Sequence, residues 1–106
     1  MEWYQQGDVM MKPVKQMPET VKKVQNNVLA RGEATGHCHE AFGQDVALYM
    51  DVELYKADAN LYLVAPEGAE VRHQEHDPVK VPPGVYVIQI VREYDHFAEE
   101  SRRVYD

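Results

Sequence analysis

The stretch DVALYMDVELY, residues 45–55, decides the fold because its side chains alternate between apolar and polar almost residue by residue. Such alternation places successive side chains on opposite faces of a β-strand, so that one face packs on a core. We expect the core face to carry five apolar side chains, those of Val46, Leu48, Met50, Val52 and Leu54. The stretch therefore predicts a half-buried strand.

Other segments on both sides of this stretch are also typical of strands. GDVMMKPV, residues 7–14, predicts a first strand that Pro13 limits to a sheet edge, since proline has no N–H for the ladder. MPETVKKVQNN, residues 17–27, predicts one helical turn or a loop, whereas residues 28–42 predict a single strand bent at its glycines. VYVIQIVREY, residues 85–94, begins apolar on both faces and so predicts a central strand.

Strands separated by a turn about every ten residues are typical of a small all-β domain. We predict a single domain over residues 1–106, a β-barrel or sandwich with at most short helical turns. Residues 1–30 would supply an N-terminal edge strand and a loop, and residues 96–106 a polar C-terminal tail.

The net charge of -7 and the pI near 5.1 argue against a binder of nucleic acid or of anionic membranes, which would need clustered Lys and Arg. The charge is uneven. Residues 1–32 hold five basic and three acidic side chains and so have a net charge of +2. Residues 33–106 have a net charge of -9, which gives the total of -7. This is either a solvated surface asymmetry, or the basic front of one copy meets the acidic body of another in a homo-oligomer.

The single cysteine, Cys38, excludes an internal disulfide and is compatible with a reducing cytosol. No apolar run approaches the ~20 residues of a membrane span, and the N-terminus has no signal-peptide pattern. We therefore predict a cytoplasmic protein that does not bind membranes. Strand alternation turns Cys38 away from its histidine neighbours, which favours a buried apolar role over a nucleophile or ligand.

Two closely spaced histidine pairs are the feature of the sequence that most clearly indicates a functional site. His37 and His39 are one residue apart in GHCHE and share a strand face, while His73 and His76 are three apart in RHQEH. Neutral imidazole suits transition metals, so we predict a metal site of all four, with Zn, Fe, Ni or Mn as candidate ions. A hydrogen-bonded cluster without metal, or unrelated surface positions, are the alternatives.

Two glutamates stand close to these histidines in the sequence. Glu33 and Glu75 are candidates for a general base or for partners of imidazole N–H groups. Solvated acids are an equally good interpretation of both.

Part of the chain resembles the cupin superfamily. GEATGHCH supplies the H-x-H of its first motif, and PPGVYV resembles its P-x-G-x-x-H motif with Val87 in place of the histidine. The usual glutamate is replaced by Gln44 or Gly43. The resemblance implies a metal-binding β-barrel in which the second histidine pair replaces the missing ligands.

Most of the chain resembles a group of small, functionally uncharacterised bacterial and phage-encoded proteins. The shared pattern is GDV, then LARGEATGHxH, EHxP, PPGxY and REY, all present here in order. This resemblance implies a one-domain architecture and carries no known reaction.

The function we predict is a small β-barrel whose histidine-rich transition-metal site could serve Lewis-acid or redox catalysis on a small-molecule substrate that the sequence does not identify. The alternative is a non-catalytic binding or assembly module, such as a phage-derived one, whose histidines stabilise a turn or a subunit contact. A third possibility is a nucleic-acid-processing factor. It rests only on the resemblance to bacterial and phage-encoded proteins, and the net negative charge of the chain argues against it.

Overall fold

The computed structural model describes residues 2–31, 36–51 and 60–91 of the chain. These residues form strands and no helix, which confirms the predicted all-β fold. The strands are β1 (Tyr4–Gln6), β2 (Val9–Val14), β3 (Val21–Val24), β4 (Val28–Arg31), β5 (Cys38–Phe42), β6 (Ala47–Asp51), β7 (Leu61–Ala65), β8 (Ala69–Arg72), β9 (Val79–Val81) and β10 (Gly84–Ile90). Within these ranges, no helix is long or apolar enough to cross a lipid bilayer.

The strands form two antiparallel sheets that pack as a sandwich and do not close into a barrel. One sheet has six strands in the order β1-β2-β10-β7-β6-β3, and the other has four in the order β4-β5-β8-β9. Strand β10 lies between β2 and β7, as its apolar sequence predicts, and Tyr86, Val87 and Ile88 in its middle are all buried.

The core lies between the two sheets. Met11, Leu48 and Leu63 contribute to it from the six-stranded sheet, and Ala41 and Val71 from the four-stranded sheet, each with 0% of its surface exposed. Full burial of a side chain such as Leu63 stabilises the fold by about 1.5–3 kcal/mol. The core therefore fixes how β5 and β8, which lead into the histidine pairs, sit against the larger sheet.

Residues 28–31 and 38–42 form two separate strands, so the prediction of one bent strand over residues 28–42 is wrong. Strands β4 and β5 pair antiparallel as a hairpin, with Arg31 opposite Cys38. Gly36, in the connection, has a φ of +83°, a left-handed conformation that a continuous strand does not contain. The hairpin places His37 immediately before β5 and His39 inside it.

Residues 1–30 contain more strand than predicted. Val21–Val24, which was expected in a helical turn or loop, is strand β3 and pairs with β6. The pairing satisfies the backbone N–H and C=O groups of the segment, and the β-branched valines at both of its ends favour a strand. The edge prediction for β2 is wrong at its start, where β1 and β10 flank it. The edge prediction is correct at Pro13. The pairing of β1 with β2 ends at Tyr4 opposite Met11, so Pro13 has a strand neighbour on one side only, in β10.

The alternation of β6 breaks at its end. Leu48 is fully buried as predicted, but Met50 is 42% exposed, and Asp51 is 8% exposed and accepts a hydrogen bond from Thr20 Oγ1 at 2.8 Å. The six-stranded sheet has two more strands than the sheet packed on it, and β6 lies next to its edge strand β3. Val52 and Leu54 lie outside the described residues, as does the predicted tail at 96–106.

Candidate functional site

Three chain segments bring the two histidine pairs together at one end of the sandwich. Strand β5 and the residue before it carry His39 and His37, and the loop between β8 and β9 carries His73 and His76. The turn between β1 and β2, Gly7-Asp8, closes the site from the six-stranded sheet. The site therefore lies where the two sheets meet.

The four imidazole rings form one cluster centred on His73. The centroid of the His73 ring lies 4.4 Å from that of His39, 4.6 Å from that of His76 and 5.6 Å from that of His37. The rings of His39 and His76 are 5.9 Å apart and nearly parallel. The two pairs thus converge, and both His37 and His39 face the same ring, as strand alternation predicts.

His39 is held by the amide of Gln6. His39 is 3% exposed, and its Nδ1 lies 2.9 Å from Gln6 Oε1. The amide nitrogen of Gln6 donates to the carbonyl oxygens of Val71 and Asp77, both at 2.9 Å. Because carbonyls only accept, the amide oxygen must face His39, whose Nδ1 must then carry the proton. In the neutral ring, the lone pair is on Nε2.

His73 has the opposite arrangement. Its Nδ1 accepts a hydrogen bond from the backbone N–H of Glu75 at 3.0 Å. The neutral ring therefore carries its proton on Nε2. His73 can bind an ion only if this hydrogen bond to the loop is broken.

The turn at Gly7 packs directly on His76. A Cβ at position 7 would lie 2.7 Å from Nε2 of His76, and the φ of +59° also favours glycine. Only a residue without a side chain lets the backbone approach the ring this closely.

Two carboxylates lie near the cluster without forming hydrogen bonds to its rings. Asp8 Oδ1 is 3.6 Å from His39 Nε2, and Glu75 Oε1 is 3.9 Å from His37 Nδ1, both longer than a hydrogen bond. The Glu75 side chain is 70% exposed. These acids give the site a negative edge that would partly offset the charge of a bound cation.

The imidazoles of His39 and His73 are biased toward the neutral form. Burial lowers the pKa of His39, and the neighbouring imidazoles of His73 and His76 lower it further, while Asp8 raises it in part. Burial also lowers the pKa of His73, with contributions in the same direction from His76 and His37 that Glu75 and Asp8 oppose. Neutral imidazole is the form that ligates metals.

As the rings stand, no group of three or more His, Cys, Asp or Glu side chains among the described residues is arranged to hold a metal ion. The hydrogen bond of His73 and the packing of His76 on Gly7 direct one nitrogen of each of these two rings to protein atoms, whereas Nε2 of His39 keeps its lone pair. Ligation would require rings in the loop, above all His73, to turn.

The outcomes for the other predicted site residues differ. Glu33 lies outside the described residues. Cys38 is half-buried and not fully buried, and its backbone N–H donates to Gln74 Oε1 at 2.9 Å. Sequence reasoning missed Gln6, Gly7 and Asp8, although Gly7-Asp8 is a recognisable turn signal. No spacing rule connects Gln6 with a histidine 33 positions later.

The cupin resemblance gains no support from the structure. Val87, at the position of the cupin histidine, lies in β10, and neither β10 nor its neighbours β2 and β7 contain any of the four clustered histidines. The histidines come from β5 and the loop after β8 in the other half of the sandwich.

One comparison with known proteins identifies a family. The model of a domain of unknown function, DUF8820, matches residues 5–91, a region that includes all four clustered histidines. Neither the curated proteins nor the solved structures contain a match to the chain. The match covers most of the chain and agrees with the expectation of an uncharacterised family. The chain therefore belongs to the family described as domain of unknown function DUF8820.

Proposed function

We propose that this protein binds a transition-metal ion at the histidine cluster, with His39, His73 and His76 as ligands and His37 at the rim. The observation that carries the proposal is the convergence of two histidine pairs that are more than thirty positions apart in the sequence. The cluster desolvates the rings of His39 and His73, and a bound ion would offset that cost. Zn, Fe, Ni and Mn are the candidate ions.

The spacing of the rings supports this ligand set. Nitrogens bound to one tetrahedral ion at 2.0–2.1 Å would place imidazole centroids about 5 Å apart. The three distances among His39, His73 and His76 are 4.4, 4.6 and 5.9 Å, which lie on both sides of that value. Ligation would require the rings to turn and His73 to release the backbone N–H of Glu75.

Three imidazoles would leave one coordination position open for water or a substrate. An ion in this setting could act as a Lewis acid or a redox centre. In this proposal Glu75, which is exposed and close to His37, would accept a proton at the rim, with Glu33 as a second candidate.

Metal titration of the protein, first stripped with a chelator, tests the proposal. We expect one equivalent of Co²⁺ or Zn²⁺ to bind and Mg²⁺ not to bind, because hard cations prefer oxygen ligands. His76→Ala is the informative variant, since His76 is exposed and its loss should leave the fold intact. Lys80→Ala, on the neighbouring strand β9, is the control.

Binding at least about tenfold weaker in His76→Ala, with Lys80→Ala like the wild type, would support the site. A wild-type protein that binds neither ion, or a His76→Ala variant that binds both unchanged, would overturn the proposal. Thermal unfolding of each variant without metal separates loss of ligation from loss of structure.

The second candidate is a non-catalytic module in which the histidines stabilise the seam between the sheets or a subunit contact. The hydrogen bonds of His39 to Gln6 and of His73 to the backbone of Glu75 favour it, because both rings are satisfied without an ion. Purified protein that contains no metal, and whose stability does not change in chelator, would favour this module over the metal site. Gel filtration at low and high salt tests the homo-oligomer: an electrostatic dimer dissociates in high salt.

A further inference from the structure

Gln6 connects the histidine cluster to both sheets. Its side chain is 2% exposed and lies on the inner side of β1 in the six-stranded sheet. The amide makes three hydrogen bonds of 2.9 Å, to the carbonyl oxygens of Val71 and Asp77 and to Nδ1 of His39. Every polar atom of this buried amide is engaged, and all three partners belong to the other half of the sandwich.

These contacts leave the amide one orientation. Both N–H groups of Gln6 are taken by backbone carbonyls, so the oxygen is the atom that meets His39. His39 must donate from Nδ1 and present the lone pair of Nε2 on the other side of the ring. In metal sites, a ligating histidine commonly donates its second N–H to a fixed acceptor, which sets the tautomer and the ring orientation.

The same amide also fixes the loop that carries the second histidine pair. Val71 is the last buried residue of β8 before the loop, and Asp77 directly follows His76. One side chain thus holds both ends of the segment that contains His73 and His76. The relative position of the two histidine pairs depends on it.

We infer that Gln6 is a positioning residue for the metal site: it selects the tautomer of His39 that offers Nε2 to an ion and holds the loop of His73 and His76 against that ring. The inference rests on the proposed metal function and adds the residue that sets the affinity of the site. Gln6 itself does not ligate.

Histidine-selective ¹⁵N NMR of the metal-free wild type tests the tautomer without any ion. We expect the proton of His39 on Nδ1. A proton on Nε2 would overturn the inference whatever the metal does. Failure of the wild type to bind any ion would instead overturn the proposed function, so the two failures are distinguishable.

Gln6→Met removes the acceptor and both donors at similar volume, and Gln5→Met is the matched control. Gln5 is the adjacent residue on the opposite face of β1, and its amide donates to the carbonyl of Gly7 without contacting a histidine. We expect Gln6→Met to lose the fixed tautomer and to bind Co²⁺ about 10–100-fold more weakly. Gln5→Met should keep the tautomer and bind within about twofold of the wild type.

Gln6→Glu provides a second variant if Gln6→Met does not fold. The carboxylate still accepts from His39 Nδ1 but cannot donate to Val71 or Asp77. It should therefore keep the tautomer while weakening metal binding through the released loop. Wild-type affinity in either Gln6 variant would overturn the inference.

Discussion

Replacing Gly7 by alanine should displace the ring of His76, and Gly36→Ala provides a matched control. Both glycines have a positive φ, +59° at Gly7 and +83° at Gly36. An alanine in this left-handed region costs about 1–2 kcal/mol at either position. A Cβ added at Gly36 meets no atom within 4 Å, whereas one at Gly7 would lie 2.7 Å from Nε2 and 3.1 Å from Cδ2 of His76.

The two variants should lose similar stability but differ at the histidine cluster. His76 is exposed, so its ring can turn toward solvent at little cost, and the backbone strain dominates the change in stability. For a domain of this size, we expect a fall in Tm of about 4–8 °C per kcal/mol in both variants, measured by thermal denaturation. Imidazole NMR signals of His76 and its neighbour His73 should shift in Gly7→Ala alone.

A double variant separates the contact from the strain. Gly7→Ala/His76→Ala lacks the His76 imidazole, so the alanine at position 7 should cost only the free energy of its left-handed backbone. The changes in the His73 NMR signals that the two single variants cause should therefore not add up in the double variant. The reasoning is refuted if Gly36→Ala shifts the His76 signals as much as Gly7→Ala does. It is also refuted if Gly7→Ala leaves those signals unchanged.

Three further predictions concern stability. The pKa values of His39 and His73 are lowered in the fold, so the unfolded chain takes up protons first as the pH falls. Metal-free protein should therefore lose stability below about pH 6.5, by at most about 1.4 kcal/mol per pH unit for the buried His39 and by less for the more exposed His73, whose charge is screened by solvent. Urea midpoints that do not change between pH 7.5 and pH 5.5 would contradict this. Leu63→Ala should cost about 2–5 kcal/mol in urea denaturation, and clearly more than Val64→Ala on the opposite face. Thr20→Val removes the hydrogen bond to Asp51 and should cost about 1–2 kcal/mol; an unchanged midpoint would show that this bond is not needed.

The parts of the fold that follow from local pattern could be predicted from the sequence. Leu48 in β6 and the apolar run of β10 were placed correctly because one or both faces of these strands are buried. The hairpin of β4 and β5 does not follow from the local pattern, because residues 28–42 have strand composition throughout. The exposure of Met50 and the burial of Asp51 interrupt the alternation of β6, and both depend on tertiary surroundings that no local pattern encodes.

For the candidate site too, some features could be predicted from the sequence and others depend on the tertiary structure. The clustering of histidines in two short pairs was visible in the sequence, and their convergence follows from the neighbouring positions of β5 and β8 in one sheet. Gln6 could not be predicted, because its role arises from the packing of β1 across the sandwich onto a histidine 33 positions away. The opposite tautomers of His39 and His73 likewise depend on partners that only the tertiary structure supplies.

The hydrogen bond from Gln6 to the carbonyl of Asp77 joins residues 71 positions apart in the chain. Contacts of such long sequence separation form late in folding, because the entropy of closing a long loop is offset only after much of the core has packed. During synthesis, the chain must extend past residue 77 before the cluster can exist. The proposed metal site would therefore be complete only after the loop that follows β8 has been synthesised.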